Sequence, residues 1–318
     1  MTADTKASMT GATVTTRAFP NRTVRLIEPF GAGGGPDITA HALAGELSKL
    51  WHQAVTVENR PGSGATLAAA LVSKAAADGY TLLVNTSAQA YSAGVGMRLG
   101  YDPLGDFSPV ASLTTQPYVF VTGRKTGIAT VHDLVAAAKK QRTRITFGST
   151  GIGTGSHIGA AELSLEAGLN AAHVPPLPDD AITEVLAHTI AGRTDYMLAP
   201  IPTALPAIRK ADLIALGVST TTRSSLVPDA PTIAEAGLPG FDFPIWYGVW
   251  APAGTPPEIV AKLSADITRA LASPGLQSWM RDYGANALTM TQQEFVRFVG
   301  RESERAARVV KAGSIISR

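Results

Sequence analysis

The sequence predicts an α/β protein of two lobes, each built on an open sheet, with a ligand cleft between them. Three observations carry this. Strand and helix patterns alternate from Val24 to Thr86, the alternation resumes after Tyr118, and each half places a glycine-rich loop between a strand and a helix. Successive βαβ units imply parallel strands with right-handed crossovers, and ligands of open α/β sheets sit at the carboxyl ends of the strands. The chain has 318 residues, 45% of them hydrophobic, which supports a sizeable core and about two domains.

In the first half, VRLIEPF (24–30), AVTVENR (54–60) and YTLLVNT (80–86) read as strands. A helix from Asp37 to about Leu50 places Ile38, Ala42, Leu43, Leu47 and Leu50 on one face. A second runs from about Thr66 to Ala76, entered through the turn Arg60-Pro61-Gly62-Ser63-Gly64. In the second half, a strand at Tyr118–Thr122 leads to a helix at Val131–Gln141, a strand at Ile145–Ser149 and a helix from Ser156 to about Gly168. A helix over Asp180–Ala191 then precedes strands at Asp195–Leu198 and Leu213–Ser219. IWYGVWAP (245–252) is a further strand, followed by helices near Pro256–Ala272, Pro274–Tyr283 and Thr291–Lys311, the last amphipathic enough to pack on a lobe. The expected division is a disordered leader (1–21), a discontinuous first lobe (22–124 plus 225–318) and a second lobe (125–224).

Composition removes whole classes of function. Net charge is only +2 and no basic stretch is interleaved with aromatics, so nucleic acid is not an expected partner. With no cysteine, disulfides, thiolate metal sites and cysteine nucleophiles are excluded. The six histidines lack metal-ligand spacing, and no metal or cofactor is expected. No stretch approaches the ~18 apolar residues of a membrane span, so direct membrane insertion is not expected. The Thr/Ala-rich N-terminus lacks a signal-peptide apolar run. It reads either as a leader on a cytoplasmic protein or as the start of a periplasmic one whose export signal has been removed or replaced.

The first glycine loop, GAGGGPD (31–37), fails the dinucleotide fingerprint at its last glycine and has no lysine for a P-loop. What remains is a run of backbone N–H groups at a helix N-terminus, suited to an anionic oxygen, or simply a tight turn that lets the helix pack. Asp37 is the natural N-cap. The second loop, Ser149 to Ser156, adds hydroxyls from Ser149, Thr150, Thr154 and Ser156 that can donate to a carboxylate. Equally, Ser156 caps its helix and the glycines form a turn. His157 either faces the cleft or is a solvated helix residue. Asp179-Asp180 pairs two carboxylates where a helix begins, which N-capping explains without chemistry. Trp246 and Trp250 share one face of their strand and Tyr247 the other, as core packing with room for one ring to line a cleft.

The chain resembles the solute-binding receptors of tripartite tricarboxylate transporters, the Bug-type group. The resemblance runs from about Phe19 to Ile316, through PNRTVRLIEPFGAGGGPD, VENRPGSGATLAAALVSKAAADGYTLL, YDPLGDFSPVASL, FGSTGIGTGSH, VPDAPTIAEAGLPGFD and WYGVWAPAGTPPEIVAKL in order. It implies a type II periplasmic-binding fold that closes on a carboxylate-bearing small molecule and serves membrane permease subunits. Carried onto this sequence, the ligand residues are Phe30, Gly31, Ala32, Gly33, Gly34 and Asp37 at one end. Ser87, Ala88 and Gln89 follow, with Ser149, Thr150, Gly151, Gly153, Thr154 and His157 at the other end. One departure stands out: where the family continues His-Val-Pro into Tyr-Lys-Gly, this chain runs into Pro176-Leu177-Pro178-Asp179-Asp180, pointing to a less anionic or differently shaped ligand. The alternative reading is an intracellular isomerase, racemase or hydrolase that reuses the cleft, with His157, Asp37, Asp179 and Asp180 as its acid–base groups.

Overall fold

A computed structural model describes residues 19–140, 144–176 and 182–313. The first sheet is assembled from β1 (Val24–Glu28), β2 (Val55–Asn59), β3 (Thr81–Thr86), β4 (Phe107–Gln116), β10 (Ile245–Pro252) and β11 (Asn286–Ala287), in the order β11-β4-β10-β3-β1-β2. The second contains β5 (Tyr118–Gly123), β6 (Ile145–Gly148), β7 (Ala171–Val174), β8 (Tyr196–Pro200) and β9 (Leu213–Val218), in the order β7-β6-β8-β5-β9. Two sheets joined by crossovers form the expected two-lobed α/β fold.

The parallel pairing expected of the βαβ units holds for β1 with β2 and β3, and for β6 with β7 and β8. The sheets are mixed, however, because β10 runs antiparallel to β3 and β4, and β5 antiparallel to β8 and β9. These antiparallel strands are the ones that carry the chain between sheets. β4 ends at Gln116 and β5 starts two residues later, so β5 lies in the second sheet and not in the segment ending at 124 that was expected for the first lobe. The chain re-enters the first sheet at Ile245. One residue between β4 and β5 leaves the crossover little freedom except to bend.

α1 (Gly35–Trp51) buries Ala40, Leu43, Leu47 and Trp51 and follows β1, while α2 (Thr66–Val72) stops four residues short of the expected Ala76. α3 (Ala88–Gly94) and the long strand β4 carry no clean periodicity in the sequence and had no counterpart in it. The second lobe adds α4 (Val131–Lys140), α5 (Gly155–Glu166), α6 (Ile182–Ile190) and α7 (Ile201–Arg209). α8 (Pro257–Leu271), α9 (Pro274–Tyr283) and α10 (Gln292–Gly313) close the chain, α8 and α9 opening on the prolines whose fixed φ suits a first turn.

The core beneath the first sheet centres on Trp246, Trp250 and Phe295, all at most 1% exposed, with ring centroids 5.5–6.1 Å apart. α10 does more than pack on one lobe. It lies against α3 and β4 and also against α5, where Arg305 forks onto Glu162 (Nη2–Oε1 2.7 Å) and donates to the Asp242 carbonyl. Among the described residues, no helix is long and apolar enough to cross a membrane.

Candidate functional site

The parallel strands of each sheet end on one edge, and both glycine loops leave from those edges. At the end of β1, the loop 29–34 turns through Gly33, whose φ of 82° is open to glycine and strained for other residues, and feeds α1. Helix α1 begins at Gly35 with Gly34 as N-cap, because Gly-Pro provides a ready first turn. Asp37 is therefore not the N-cap. It sits inside the first turn, 5% exposed, and reaches back to accept from the Gly33 amide at 2.8 Å. Asn59, at the end of β2, clamps the arrangement by donating to Asp37 Oδ1 (2.7 Å), Glu28 Oε2 (2.8 Å) and the Phe30 carbonyl (3.2 Å).

Glu28 is fully buried and accepts from the Phe30 amide at 3.0 Å. Burial raises its carboxyl to about 8, with the amide and Asn59 pulling downward and the Asp37 charge adding to the rise. At neutral pH this group is a neutral acid, so the loop is not doubly negative. The expected anion nest is thus partly filled by the chain's own carboxyl groups: Phe30 and Gly33 donate inward, while Gly31 and Ala32 stay exposed at the loop tip.

The second loop, between β6 and α5, is internally braced in a comparable way. Gly151 (φ 134°) and Gly153 (φ 79°) make its turns. Ser156 does not cap its own helix, whose N-cap is Thr154; its Oγ accepts from the Thr150 amide (3.0 Å) and lies 2.9 Å from Thr150 Oγ1 and 3.0 Å from Thr154 Oγ1. Thr154 Oγ1 donates to the Gly151 carbonyl (2.7 Å). The hydroxyls expected to greet a ligand therefore hold the loop in shape. Its outward part is the half-buried stretch Thr150, Gly151 and Ile152.

His157 neither faces solvent nor lines an open cleft. It is fully buried, and its Nδ1 accepts from the Gly153 amide at 3.4 Å. Its ring lies 4.5 Å from that of His173, a residue the sequence did not single out, and His173 Nε2 meets Ser149 Oγ at 2.7 Å. Burial drives His157 down to about 3, assisted by His173, and His173 down to about 4. Both rings are neutral spacers beneath the loop. The signal for His173 was its place at the end of a strand neighbouring β6, invisible without strand order.

Ser87, at the end of β3, is where the two lobes meet. Its Oγ is buried beside the Tyr118 hydroxyl, which it helps to solvate. A methyl group at Gly155, the first residue of α5, would lie 3.0 Å from that oxygen and would collide with the Tyr118 hydroxyl. The first lobe repeats the device: a methyl group at Gly35 would lie 2.5 Å from the Tyr247 hydroxyl, which accepts from Gln116 Nε2 at 2.8 Å. One tyrosine hydroxyl thus rests on the N-terminus of each loop helix. Strand parity had set Tyr247 opposite Trp246 and Trp250, but not against α1. Ala88 is buried, and Gln89 turns away to Asn85 and the Pro103 carbonyl. Asp179 and Asp180 lie outside the described residues. Among the described residues, no group of three or more His, Asp or Glu is arranged to hold a metal.

A family model described as the tripartite tricarboxylate transporter family receptor, TctC, matches residues 39–315. Protein BugT of Bordetella pertussis is 31% identical over 94% of this chain and 92% of its own. A UPF0065 protein from the tcbD-tcbE intergenic region of Pseudomonas sp. strain P51 is 33% identical over 92% of this chain and 87% of its own. Among solved structures, R. palustris Rpa4515 with adipate superposes with a TM-score of 0.83 at 30% identity, covering 93% of this chain and 99% of that one. MatC from Rhodopseudomonas palustris with bound malate superposes at 0.81 with 32% identity, covering 92% and 100%.

Proposed function

The chain belongs to the tripartite tricarboxylate transporter receptor family, TctC, and from that membership we propose that it captures a small carboxylate-bearing organic acid between its lobes. The observation that carries this reading is that each sheet feeds a glycine loop into a helix N-terminus from the carboxyl end of a parallel strand, with Ser87 of the first lobe against Gly155 at the start of α5. Helix N-termini with exposed loop amides favour anionic oxygens without any need for a basic side chain. The similar structures solved with adipate and with bound malate support the ligand class.

In this reading Gly31 and Ala32 offer their amides to one carboxylate, and the outward stretch 150–152 of the second loop, whose Thr150 and Gly151 amides are held by Ser156 and Ser149, meets the other end, with Ser87 Oγ taking a ligand oxygen between them. Phe30, Gly33, Gly34, Asp37, Gly153, Thr154 and His157 shape the two loops, and Ala88 and Gln89 anchor α3. The protein binds without turnover and hands its ligand to membrane permease subunits from the periplasmic side. Of the four nominees for acid–base chemistry, Asp37 and His157, the two among the described residues, are each tied to an amide of their own loop, which supports capture over catalysis.

Calorimetry with malate, succinate, adipate and monocarboxylates, paired with NMR of the recovered acid, tests this. Saturable heat with the acid returned unchanged is expected. Conversion of any acid, abolished in a folded His157→Ala variant, would replace the receptor reading with the enzymatic one, and absence of heat across the panel would remove the ligand class.

A further inference from the structure

One inter-lobe contact involves a loop that the two-loop picture leaves out. The turn from β2 into α2 crosses to the second glycine loop and meets it backbone to backbone. A methyl group at Gly64 would lie 3.2 Å from the Ile152 carbonyl oxygen, and one at Gly151 would lie 3.3 Å from the Gly64 Cα. At either position an added side chain would push its neighbour back by a few tenths of an ångström, and both glycines hold a positive φ that side chains rarely adopt. From the other flank, a methyl group at Gly153 would lie 3.1 Å from Met97 Sδ and 3.5 Å from the Ser92 Cα, both from the first lobe. The second loop is gripped on two sides.

The backbone of this turn is held in a conformation that local preference does not supply. Gly64 has φ 62° and ψ 42°, and Ala65 follows at φ 76° and ψ 5°, a left-handed alanine buried at 4% exposure. A non-glycine residue in that region persists where the surroundings over-determine it, and such positions concentrate at functional sites.

We propose that Gly64 and Gly151 form a glycine-on-glycine seal, a third element of the binding site that sets how far the lobes close on the ligand. The seal rests on the capture reading for its purpose, but its geometry is independent of which acid is bound. Two bare backbones allow the loop tips to approach until the ligand is enclosed, and a side chain at either glycine stops the approach early. Gly64 is a positioning residue: it acts on affinity through the closed state and touches no reacting group. A ligand that favours the closed lobes binds more weakly when that state is made less accessible.

The test uses Gly64→Asn, because asparagine tolerates left-handed backbone and so isolates the added bulk. The control is Gly127→Asn, at φ 73° with nothing within 4 Å of the added Cβ, which carries the same backbone change away from the cleft. Two readouts are taken on the full chain: affinity for malate and adipate by calorimetry, and inter-lobe distance by spin labels. The chain has no cysteine, so labels at Leu67→Cys and Leu165→Cys, both exposed, report a single pair. Gly64→Asn is expected to weaken binding tenfold or more and to lengthen the label distance, while Gly127→Asn matches the parent in both. Unchanged distance and affinity in Gly64→Asn overturn the seal. A lengthened distance in a protein whose parent binds neither acid leaves the seal standing and sinks the capture reading instead.

Discussion

Glu28 and the pair His157–His173 set opposite limits on stability. Glu28 stays protonated in the fold up to about pH 8, whereas an exposed glutamate ionises near 4.5. Unfolding therefore releases its proton over that window, and stability falls as pH rises from 4.5 toward 8, by on the order of 3 kcal/mol at neutral pH. Glu28→Gln keeps an acceptor for the Phe30 amide, gives up the one for Asn59 and removes the titrating group, so the fall in melting temperature between pH 4.5 and 8 should flatten. The histidines behave inversely. Their folded values are depressed from 6.5 to about 3 and 4, so the unfolded chain takes up protons first as pH drops. Stability is lost from pH 6.5 downward, on the order of 3 kcal/mol per ring by pH 4. Replacing His173 by glutamine, which preserves a partner for Ser149, should make thermal unfolding less acid-sensitive below pH 6; an unchanged acid slope would contradict the burial of a neutral ring pair.

The element with the widest reach is α10. It ties α3 and β4 of the first lobe to α5 of the second, and its Glu302 accepts from the Tyr91 hydroxyl (2.8 Å) and from Trp246 Nε1 (2.9 Å). One turn further on, Arg305 covers the Phe243 ring at 4.7 Å while forking onto Glu162. Both partners of this ion pair are mostly buried, at 22% and 12% side-chain exposure. Removing the arginine strips the mostly buried Glu162 of its partner, so Arg305→Ala should cost about 3 kcal/mol in denaturant unfolding, well above the fraction of a kcal/mol of an exposed pair. A loss near the exposed-pair value would show that α10 is not anchored through this residue. The amphipathic pattern of α10 was plain in the sequence. Its second partner was not, since the pattern marks an apolar face without saying which lobes share it.

At the scale of the whole molecule, ligand capture and folding are one equilibrium. An acid held at a hundred times its dissociation constant should add about 2.7 kcal/mol to stability and raise the melting temperature by a few degrees. Malate or adipate in a thermal scan checks this, and a midpoint indifferent to every acid tried would count against enclosure between the lobes. Local pattern was enough to locate β1, β2, β3, β6 and both glycine loops, because strand and helix periodicities and glycine punctuation are properties of neighbouring residues. The role of Asp37 shifted from cap to brace once the helix was seen to begin at Gly35. His157 moved from the cleft to beneath its loop, because only packing decides which way a helix residue faces. β4 and α3, and the roles of His173, Tyr118 and Asn59, depend on partners far along the chain and left no local mark. By itself, the sequence determined that two glycine turns would interrupt two α/β sheets. Tertiary structure alone decided that their amides are partly filled from within and that Gly64 closes on Gly151, since such contacts join residues that only strand order brings together.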